Sequence, residues 1–260
     1  MNKTILTILT CAIWGFATGA GAAVIDHFNN VGGAADLTWT GDTTGFSVEA
    51  TTGSMNEGTG AFRTTSTGAA ANSFVTDITA ELALDTVYTF SGYIGADTTR
   101  AVNFANYAAL VLMSDTSDAA AITAGTMNGY RLGIFAGDQV ELQKASGAGW
   151  VTLQAGPSSG LALQDGWNVS ATIDSATGNY SWGYVTGNYT DTIAEDNSGT
   201  DTAFVDPAGT TYGGFTYVVS TADTYYVDAY NMAAIPEPAT LSLILGSGAG
   251  LLWIRRKFTI

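Results

Sequence analysis

Residues 166–185 read GWNVSATIDSATGNYSWGYV, and this stretch indicates the fold class most clearly. From Trp167 to Ile173 the apolar side chains stand at every second position, which is the period of a half-buried β-strand. Residues 174–179 supply turn-forming side chains and end in a Gly-Asn pair that tolerates positive φ. A second alternating run begins at Tyr180. The stretch therefore predicts two antiparallel strands joined by a tight turn.

The same pattern recurs on both sides of this hairpin. Further alternating runs are Asp85–Ile94, Tyr130–Phe135, Gln139–Gln143 and Tyr225–Tyr230. A second tight hairpin is predicted at residues 136–138, and residues 119–124 could form one helical turn. Nothing between Val24 and Ala234 has the period of a long helix. Many short strands with regular turns predict an all-β fold, a single antiparallel sandwich or barrel.

The N-terminal residues have the pattern of a secretory signal peptide. Lys3 precedes an apolar run from Ile5 to Phe16, and small residues follow at Ala20-Gly-Ala22. We assign residues 1–23 to a signal helix and residues 24–234 to the β domain. The single cysteine of the chain is Cys11, so we expect the mature domain to contain no disulfide and to depend on its core.

The β domain is strongly acidic. Of the 23 acidic residues all but Glu237 lie in residues 24–234, with only four of the eight basic ones, which gives this segment a net charge of 4 − 22 = −18. Such a surface repels phosphate backbones, so nucleic-acid binding is excluded as a function.

Several of the predicted strands together resemble a known family. They are Gly129-Tyr-Arg-Leu-Gly-Ile, Gln139-Val-Glu-Leu-Gln-Lys, Gly149-Trp-Val-Thr-Leu, Gly166-Trp-Asn-Val-Ser-Ala-Thr-Ile-Asp and Gly178-Asn-Tyr. In this order they resemble the concanavalin A-like (laminin-G-like) jelly roll, and a galactose-binding-type jelly roll is the close alternative. The resemblance implies a β-sandwich of which many members bind sugars.

Sugar recognition stacks an aromatic face on a pyranose ring and fixes the ring with a few polar groups. We take Trp150, Trp182 and Tyr184 as candidate ligand-binding residues. Trp150 follows two glycines and is expected to be exposed. Trp182 and Tyr184 share one face of a strand, which forms either a platform or the interior of the sandwich. Trp167 alternates with other apolar residues and is expected to pack in the core.

A structural calcium ion is the remaining cofactor hypothesis. Calcium is bound by oxygen ligands, and jelly rolls of sugar-binding modules often pair their terminal strands around such an ion. The resemblance implies Asp26 in the first strand and Asp228 in the last strand as metal ligands, against the alternative that both are ordinary strand carboxylates.

Catalytic motifs are missing from the sequence. Glycoside hydrolysis needs two carboxylates placed about 5–9 Å apart across one bond. The Glu-x-Asp-x-x-Glu run of jelly-roll glucanases does not occur, and the adjacent Glu195 and Asp196 read as a solvated loop. His27 is the only histidine, so a zinc site or a nucleophilic triad has little support. We expect no catalytic residues.

The C-terminal residues 235–260 form a third segment. Residues 239–254 are apolar, but 16 residues span only about 24 Å as a helix, less than the roughly 30 Å of a hydrocarbon core. This short transmembrane helix is preceded by Pro236-Glu237-Pro238 and followed by Arg255-Arg256-Lys257. That tripartite order resembles a PEP-CTERM sorting signal, and a plain single-span anchor is the alternative.

The PEP-CTERM resemblance implies a Gram-negative, exopolysaccharide-producing source and an exosortase partner that removes the tail. The protein would cross the inner membrane, remain there transiently through residues 239–254, and reach the cell envelope, outer surface or extracellular matrix. We therefore expect an exported, non-enzymatic protein that binds polysaccharide through its jelly roll. A structural or adhesive matrix component without a specific ligand is the alternative, and a glycan hydrolase or lyase is disfavoured.

Overall fold

The computed structural model describes residues 23–29, 31–33, 35–43, 46–50, 60–66, 70–82, 86–96, 107–135, 139–157, 166–187, 192–204, 209–219 and 223–235. The predicted signal peptide, apart from its last residue, lies outside these ranges. The sorting-signal residues Pro236, Glu237, Pro238, Arg255, Arg256 and Lys257 lie outside them as well. Within the part of the chain that the structure describes, no helix is long and apolar enough to cross a membrane.

The described residues form fifteen strands and two short helices. In chain order the strands are β1 (Val24–Asp26), β2 (Thr40–Gly41), β3 (Phe46–Ala50), β4 (Gly60–Ser66), β5 (Ala70–Asp77), β6 (Val87–Ala96), β7 (Tyr107–Ser114), β8 (Asn128–Phe135), β9 (Gln139–Ser146), β10 (Trp150–Ala155), β11 (Trp167–Asp174), β12 (Asn179–Thr186), β13 (Asn197–Thr200), β14 (Tyr212–Val219) and β15 (Asp223–Ile235). The helices are α1 (Thr79–Leu82) and α2 (Ala119–Ala124).

These strands build two sheets, and the pairings between them are antiparallel. Sheet I has the order β13-β12-β11-β6-β15-β4-β3, and β1 pairs with the second half of β15. Sheet II has the order β10-β9-β8-β7-β14-β5-β2. The chain passes repeatedly from one sheet to the other between β4 and β7. The predicted all-β sandwich and the pairing of its terminal strands are confirmed.

The core lies between the two sheets, because alternate residues of each strand point inward. Fully buried side chains on this face include Phe90, Leu110, Leu132, Leu142, Trp167, Val169, Ala171 and Phe215. Each side chain of this size contributes about 1.5–3 kcal/mol relative to an exposed one. The prediction that Trp167 packs in the core is confirmed.

Both predicted hairpins have the expected strand pairing. β11 and β12 pair from Trp167 with Thr186 to Asp174 with Asn179, and Gly178 adopts φ 71° in the turn between them. β8 and β9 pair from Phe135 with Gln139 onward, while the predicted turn at residues 136–138 lies outside the described residues.

A β-bulge interrupts β15. Asp228 lies opposite Tyr93 and Asn231 lies opposite Ser91, so Ala229 and Tyr230 together face one residue of β6. The extra residue reverses the alternation of side chains along β15. Before the bulge Tyr225 and Val227 point into the core, whereas after it Tyr230 and Met232 do.

A buried aspartate connects the two sheets through hydrogen bonds. Asp201, just after β13 of sheet I, accepts hydrogen bonds from Tyr130 Oη and Lys144 Nζ of sheet II, both at 2.8 Å. Burial favours the neutral carboxyl. The hydrogen bonds from Lys144, Tyr130 and the Ala203 N–H outweigh this effect and lower the pKa of Asp201 below its ordinary value.

Candidate functional site

The outer face of sheet II carries a row of polar side chains on neighbouring strands. Tyr130, Leu132 and Leu142 point into the core, so the residues between them on β8 and β9 point outward. We use the name Arg131 cluster for the side chains that meet there: Tyr107, Arg131, Phe135, Glu141, Gln143, Trp150 and Thr152.

Arg131 is held among three aromatic rings. Its guanidinium carbon lies 4.7 Å from the ring centroid of Tyr107, 4.6 Å from that of Phe135 and 4.1 Å from that of Trp150. These distances are within the range of cation–π attraction. Only 5% of Arg131 is exposed. Burial lowers the pKa of Arg131 to about 10, with Tyr107 and Glu141 acting in the opposite direction, so the side chain stays charged at neutral pH.

Hydrogen bonds connect the cluster across four strands. Arg131 Nη1 donates to Tyr107 Oη at 3.0 Å and Arg131 Nε donates to Gln143 Oε1 at 2.9 Å. Gln143 Nε2 donates to Glu141 Oε2 at 2.7 Å, and Thr152 Oγ1 donates to the same oxygen at 2.6 Å. The positive charge of this hydrogen-bond network, on Arg131, thus lies among the aromatic rings. Its negative charge, on Glu141, lies beside the exposed Thr152 on the edge strand β10.

Trp150 is positioned by helix α2, which lies on the same outer face. Its Nε1 donates to Ile122 O at 2.8 Å, while the ring covers Arg131 on one side. The helix is itself anchored, because Asp118 caps its N-terminus and Ser73 Oγ lies 2.9 Å from Thr123 Oγ1. Trp150 is therefore half-buried and fixed in orientation, rather than freely exposed as the sequence predicted.

The structure places Trp182 and Tyr184 elsewhere. Trp182 is fully buried between the sheets, where its Nε1 donates to Gln154 Oε1 at 3.0 Å. Tyr184 is half-buried against it, with ring centroids 6.3 Å apart, and also packs on Trp167 at 5.6 Å. This corrects the assignment of Trp182 as a ligand-binding residue, because a ring with no exposed surface cannot stack on a sugar. Of the three aromatic candidates, only Trp150 belongs to the Arg131 cluster.

The two proposed metal ligands lie on opposite faces of sheet I. Asp26 pairs with the inward-pointing Tyr230, whereas Asp228 pairs with Tyr93, which packs with Tyr226 on the outer face. The bulge in β15 causes this separation, since without it Asp228 and Tyr230 would share a face. Asp26 and Asp228 therefore cannot be partners in one calcium site, which corrects the prediction from the terminal strands.

The carboxylate of Asp26 is also fully used by donors of the chain itself. Its Oδ1 accepts from Phe28 N at 2.9 Å, and its Oδ2 accepts from Leu37 N at 3.0 Å and from Trp39 Nε1 at 2.8 Å. Because this carboxylate accepts three N–H donors, it does not fit the role of a metal ligand. Across the described residues, no three histidine, cysteine, aspartate or glutamate side chains converge in a way that could hold a metal ion.

Sequence reasoning missed Arg131, Glu141 and Gln143, although a signal for them exists. The predicted hairpin would pair Phe135 with Gln139, as β8 and β9 do, and this register places Arg131 directly opposite Gln143. Glu141 follows at the strand period on the same face. The aromatic rings that surround Arg131 could not be found in this way, because Tyr107 and Trp150 come from strands whose register depends on tertiary packing.

No protein-family model matches the sequence, and no curated protein matches it. Solved structures do match the fold. Peanut lectin, crystallised with a nine-residue peptide, has 13% identity and a TM-score of 0.52, and the match covers 84% of this chain and 100% of the lectin. Basic winged bean lectin, crystallised with the Tn-antigen, has 10% identity and a TM-score of 0.51, with 83% and 100% covered.

A GH43 protein of Bacillus licheniformis is also similar in fold, with 13% identity and a TM-score of 0.50. That match covers 81% of this chain but only 39% of the GH43 protein. At such identities the likeness concerns the fold alone. The chain has a lectin-like jelly roll, and lectins and GH43 proteins are both among the proteins that share it.

Proposed function

We propose that this protein is an exported, non-enzymatic cell-surface or matrix protein that binds polysaccharide through the outer face of sheet II. The observation that carries the proposal is the Arg131 cluster. An aromatic ring fixed beside amide, carboxylate and hydroxyl groups provides the stacking and hydrogen bonding that sugar rings require. Trp150 supplies the ring, and Gln143, Glu141 and Thr152 supply the polar groups.

The cluster is well suited to hold its shape before a ligand arrives. Arg131 stacks on the Trp150 ring and donates hydrogen bonds to Gln143 and Tyr107, and the Trp150 Nε1 donates to Ile122 O, so the ring and the amide are both held in place. A ligand therefore meets side chains whose rotamers are already fixed, which reduces the entropy lost on binding.

Catalysis is not part of the proposal. Hydrolysis of a glycosidic bond by the usual acid–base route needs a second carboxylate about 5–9.5 Å from the first. The Arg131 cluster, as defined above, contains a single carboxylate, Glu141, and its Oε2 accepts two hydrogen bonds from within the cluster. This arrangement favours binding over turnover.

Delivery follows from the terminal segments of the sequence. The signal peptide at residues 1–23 supports export. Recognition by an exosortase is supported by Pro236-Glu237-Pro238, the apolar residues 239–254 and Arg255-Arg256-Lys257. The apolar residues would hold the protein in the membrane until the tail is removed. The mature protein then acts at the cell envelope or in the extracellular matrix.

One observation favours the alternative, a structural or adhesive component without a specific ligand. Arg131 and Gln143 are each only 5% exposed, so much of the cluster is satisfied within the protein. A glycan array that contains neutral and acidic polysaccharides separates the two functions. Selective binding that is inhibited by free polysaccharide supports the proposal. Absence of binding to every glycan on the array supports the structural role. Release of shorter oligosaccharides that Glu141→Gln abolishes would show an enzyme instead.

A further inference from the structure

The first and last strands of the β domain begin and end at the same end of the sandwich. Strands β1 and β15 are antiparallel neighbours, with Val24 opposite Met232. The Cα atoms of residues paired in this way are about 4.5–5.5 Å apart. The chain therefore enters the domain at Val24 beside the place where it leaves β15 at Ile235. We call this the terminal end of the sandwich.

The strand register shows which other elements lie at the terminal end. In sheet I, Ile235 lies opposite Val87, and Val87 lies opposite Asp174 at the turn between β11 and β12. Strand β5 of sheet II ends there too. Helix α1, which follows β5, accepts a hydrogen bond at Leu82 O from Tyr88 Oη, and Tyr88 is the neighbour of Val87 in β6. Helix α1 and the β11–β12 turn therefore border the terminal end.

The apolar tail segment begins only a short distance from this end. Pro236-Glu237-Pro238 separates Ile235 from the apolar residues 239–254. An extended chain covers at most about 3.6 Å per residue, so residue 239 lies within about 14 Å of Ile235. The prolines fix φ at two of the three positions and limit how far this linker can fold back. When residues 239–254 lie in a bilayer, the terminal end is therefore held close to the bilayer surface.

The predicted signal peptide reaches the same membrane. Its apolar run ends at Phe16, and residues 17–23 connect it to Val24 at the terminal end. If β1 began at the other end of the sandwich, the two apolar segments would be separated by the length of a strand such as β6. That length is about 30 Å for ten residues. The observed pairing of β1 with β15 lets both segments enter one bilayer while the sandwich stays folded.

The side chains at the terminal end do not favour adhesion to anionic lipid. Asp77 ends β5, Glu81 is in helix α1, and Asp174 ends β11. Lys144 supplies no free positive charge, since its Nζ lies 2.8 Å from the carboxylate of Asp201 beside the adjacent end of β13. Negative side chains are repelled by anionic headgroups, so the covalent tail, and not attraction to lipid, would keep this end at the membrane.

We propose that the terminal end is the membrane-facing end of this protein, and that the sandwich is oriented end-on to a lipid bilayer until residues 239–254 are removed. The inference rests on the export and the transient membrane attachment of the proposed function. It adds the surface that faces the lipid. In this orientation the outer face of sheet II, with Trp150, lies along the side of the domain and is not covered by the membrane.

Two exposed positions at opposite ends of β12 report the orientation. Ala176 lies in the turn at the terminal end, and Thr186 lies at the other end of the strand, opposite Trp167. The eight residues of β12 span about 23 Å. The full chain with Cys11→Ser and either Ala176→Cys or Thr186→Cys is labelled with a fluorophore. It is then reconstituted into phosphatidylethanolamine–phosphatidylglycerol vesicles that contain a lipid with a nitroxide headgroup, which quenches fluorophores near the bilayer surface.

A second pair of positions makes the same comparison on sheet II. Ser146 pairs with Asn128 at the terminal end, whereas Ala155 pairs with Glu141 farther along β9, and both Ser146 and Ala155 are exposed. Each cysteine variant should melt as the Cys11→Ser parent does, because the replaced side chains are at the surface. We expect the label at the terminal end to lose several-fold more fluorescence than its partner in both pairs.

The outcomes separate this inference from the proposed function. Equal quenching within either pair, or stronger quenching of Thr186→Cys than of Ala176→Cys, in protein that floats with the vesicles would overturn the end-on orientation alone. Protein that does not float with the vesicles would overturn the membrane step of the proposed function and this inference with it. Polysaccharide binding at Trp150 is measured independently on the glycan array and is unaffected by either result.

Discussion

Replacing Asp26 by alanine should destabilise the whole domain strongly. The carboxylate is fully buried and accepts three N–H donors, from Phe28, Leu37 and Trp39. An orphaned buried donor costs about 1–3 kcal/mol. Taking about 2 kcal/mol for the buried Phe28 N–H and about 1 kcal/mol for each of the two partly buried donors gives a loss of about 4 kcal/mol. For a domain of this size that corresponds to a fall in Tm of about 8–16 °C.

The assay is denaturant unfolding followed by circular dichroism and tryptophan fluorescence. Asp36→Ala is the matched control, because Asp36 is an exposed carboxylate in the same loop, and it should change stability by less than about 0.5 kcal/mol. Excess calcium or a chelator should not alter the difference between the two variants. Equal stability of Asp26→Ala and Asp36→Ala, or an equal loss on chelation of the parent, would show that these hydrogen bonds are not the source of the stability.

Three further outcomes follow from the same structure. Trp182→Ala should lower the free energy of unfolding by about 3–5 kcal/mol, because the ring is fully buried, and a loss below about 1 kcal/mol by urea unfolding would contradict the correction made for this residue. Ala229→Gly should raise stability by about 0.5–1 kcal/mol by relieving the positive φ at the bulge, whereas a lower Tm would argue against strain there. The lowered pKa of Asp201 means that its contribution to stability is complete above about pH 3.8, the ordinary value, and is lost as the pH falls further towards its folded pKa. Asp201→Asn should therefore flatten the acid limb of the stability profile, and an unchanged limb would exclude this role.

The sequence was sufficient for the architecture because local signals carry it. The alternation from Trp167 to Ile173 and the turn at Gly178 depend on residues close together in the chain, and the structure forms both as predicted. The hairpin between β8 and β9 is of the same kind. In each case the strand period and the turn chemistry agree, so one register satisfies both.

The candidate sites were harder to predict because they depend on contacts between distant strands. Trp182 could have formed a surface or the core, and only the packing of Gln154 and Tyr184 against it decides for the core. The resemblance implied that Asp26 and Asp228 belong to one site, and nothing in the sequence indicates the bulge at Ala229 that places them on different faces. One inserted residue reversed the alternation and separated the two carboxylates.

Polysaccharide binding at the outer face of sheet II is tested most directly by titrating a polysaccharide that binds on the array into the parent, Trp150→Ala and Val151→Ala. The next residue of the same strand, Val151, is 65% exposed, so its variant controls for a general change at the edge of the sheet. Loss of one stacking ring is worth about 1.5 kcal/mol. We expect affinity at least tenfold lower for Trp150→Ala and unchanged for Val151→Ala. Equal affinity in all three proteins would contradict it.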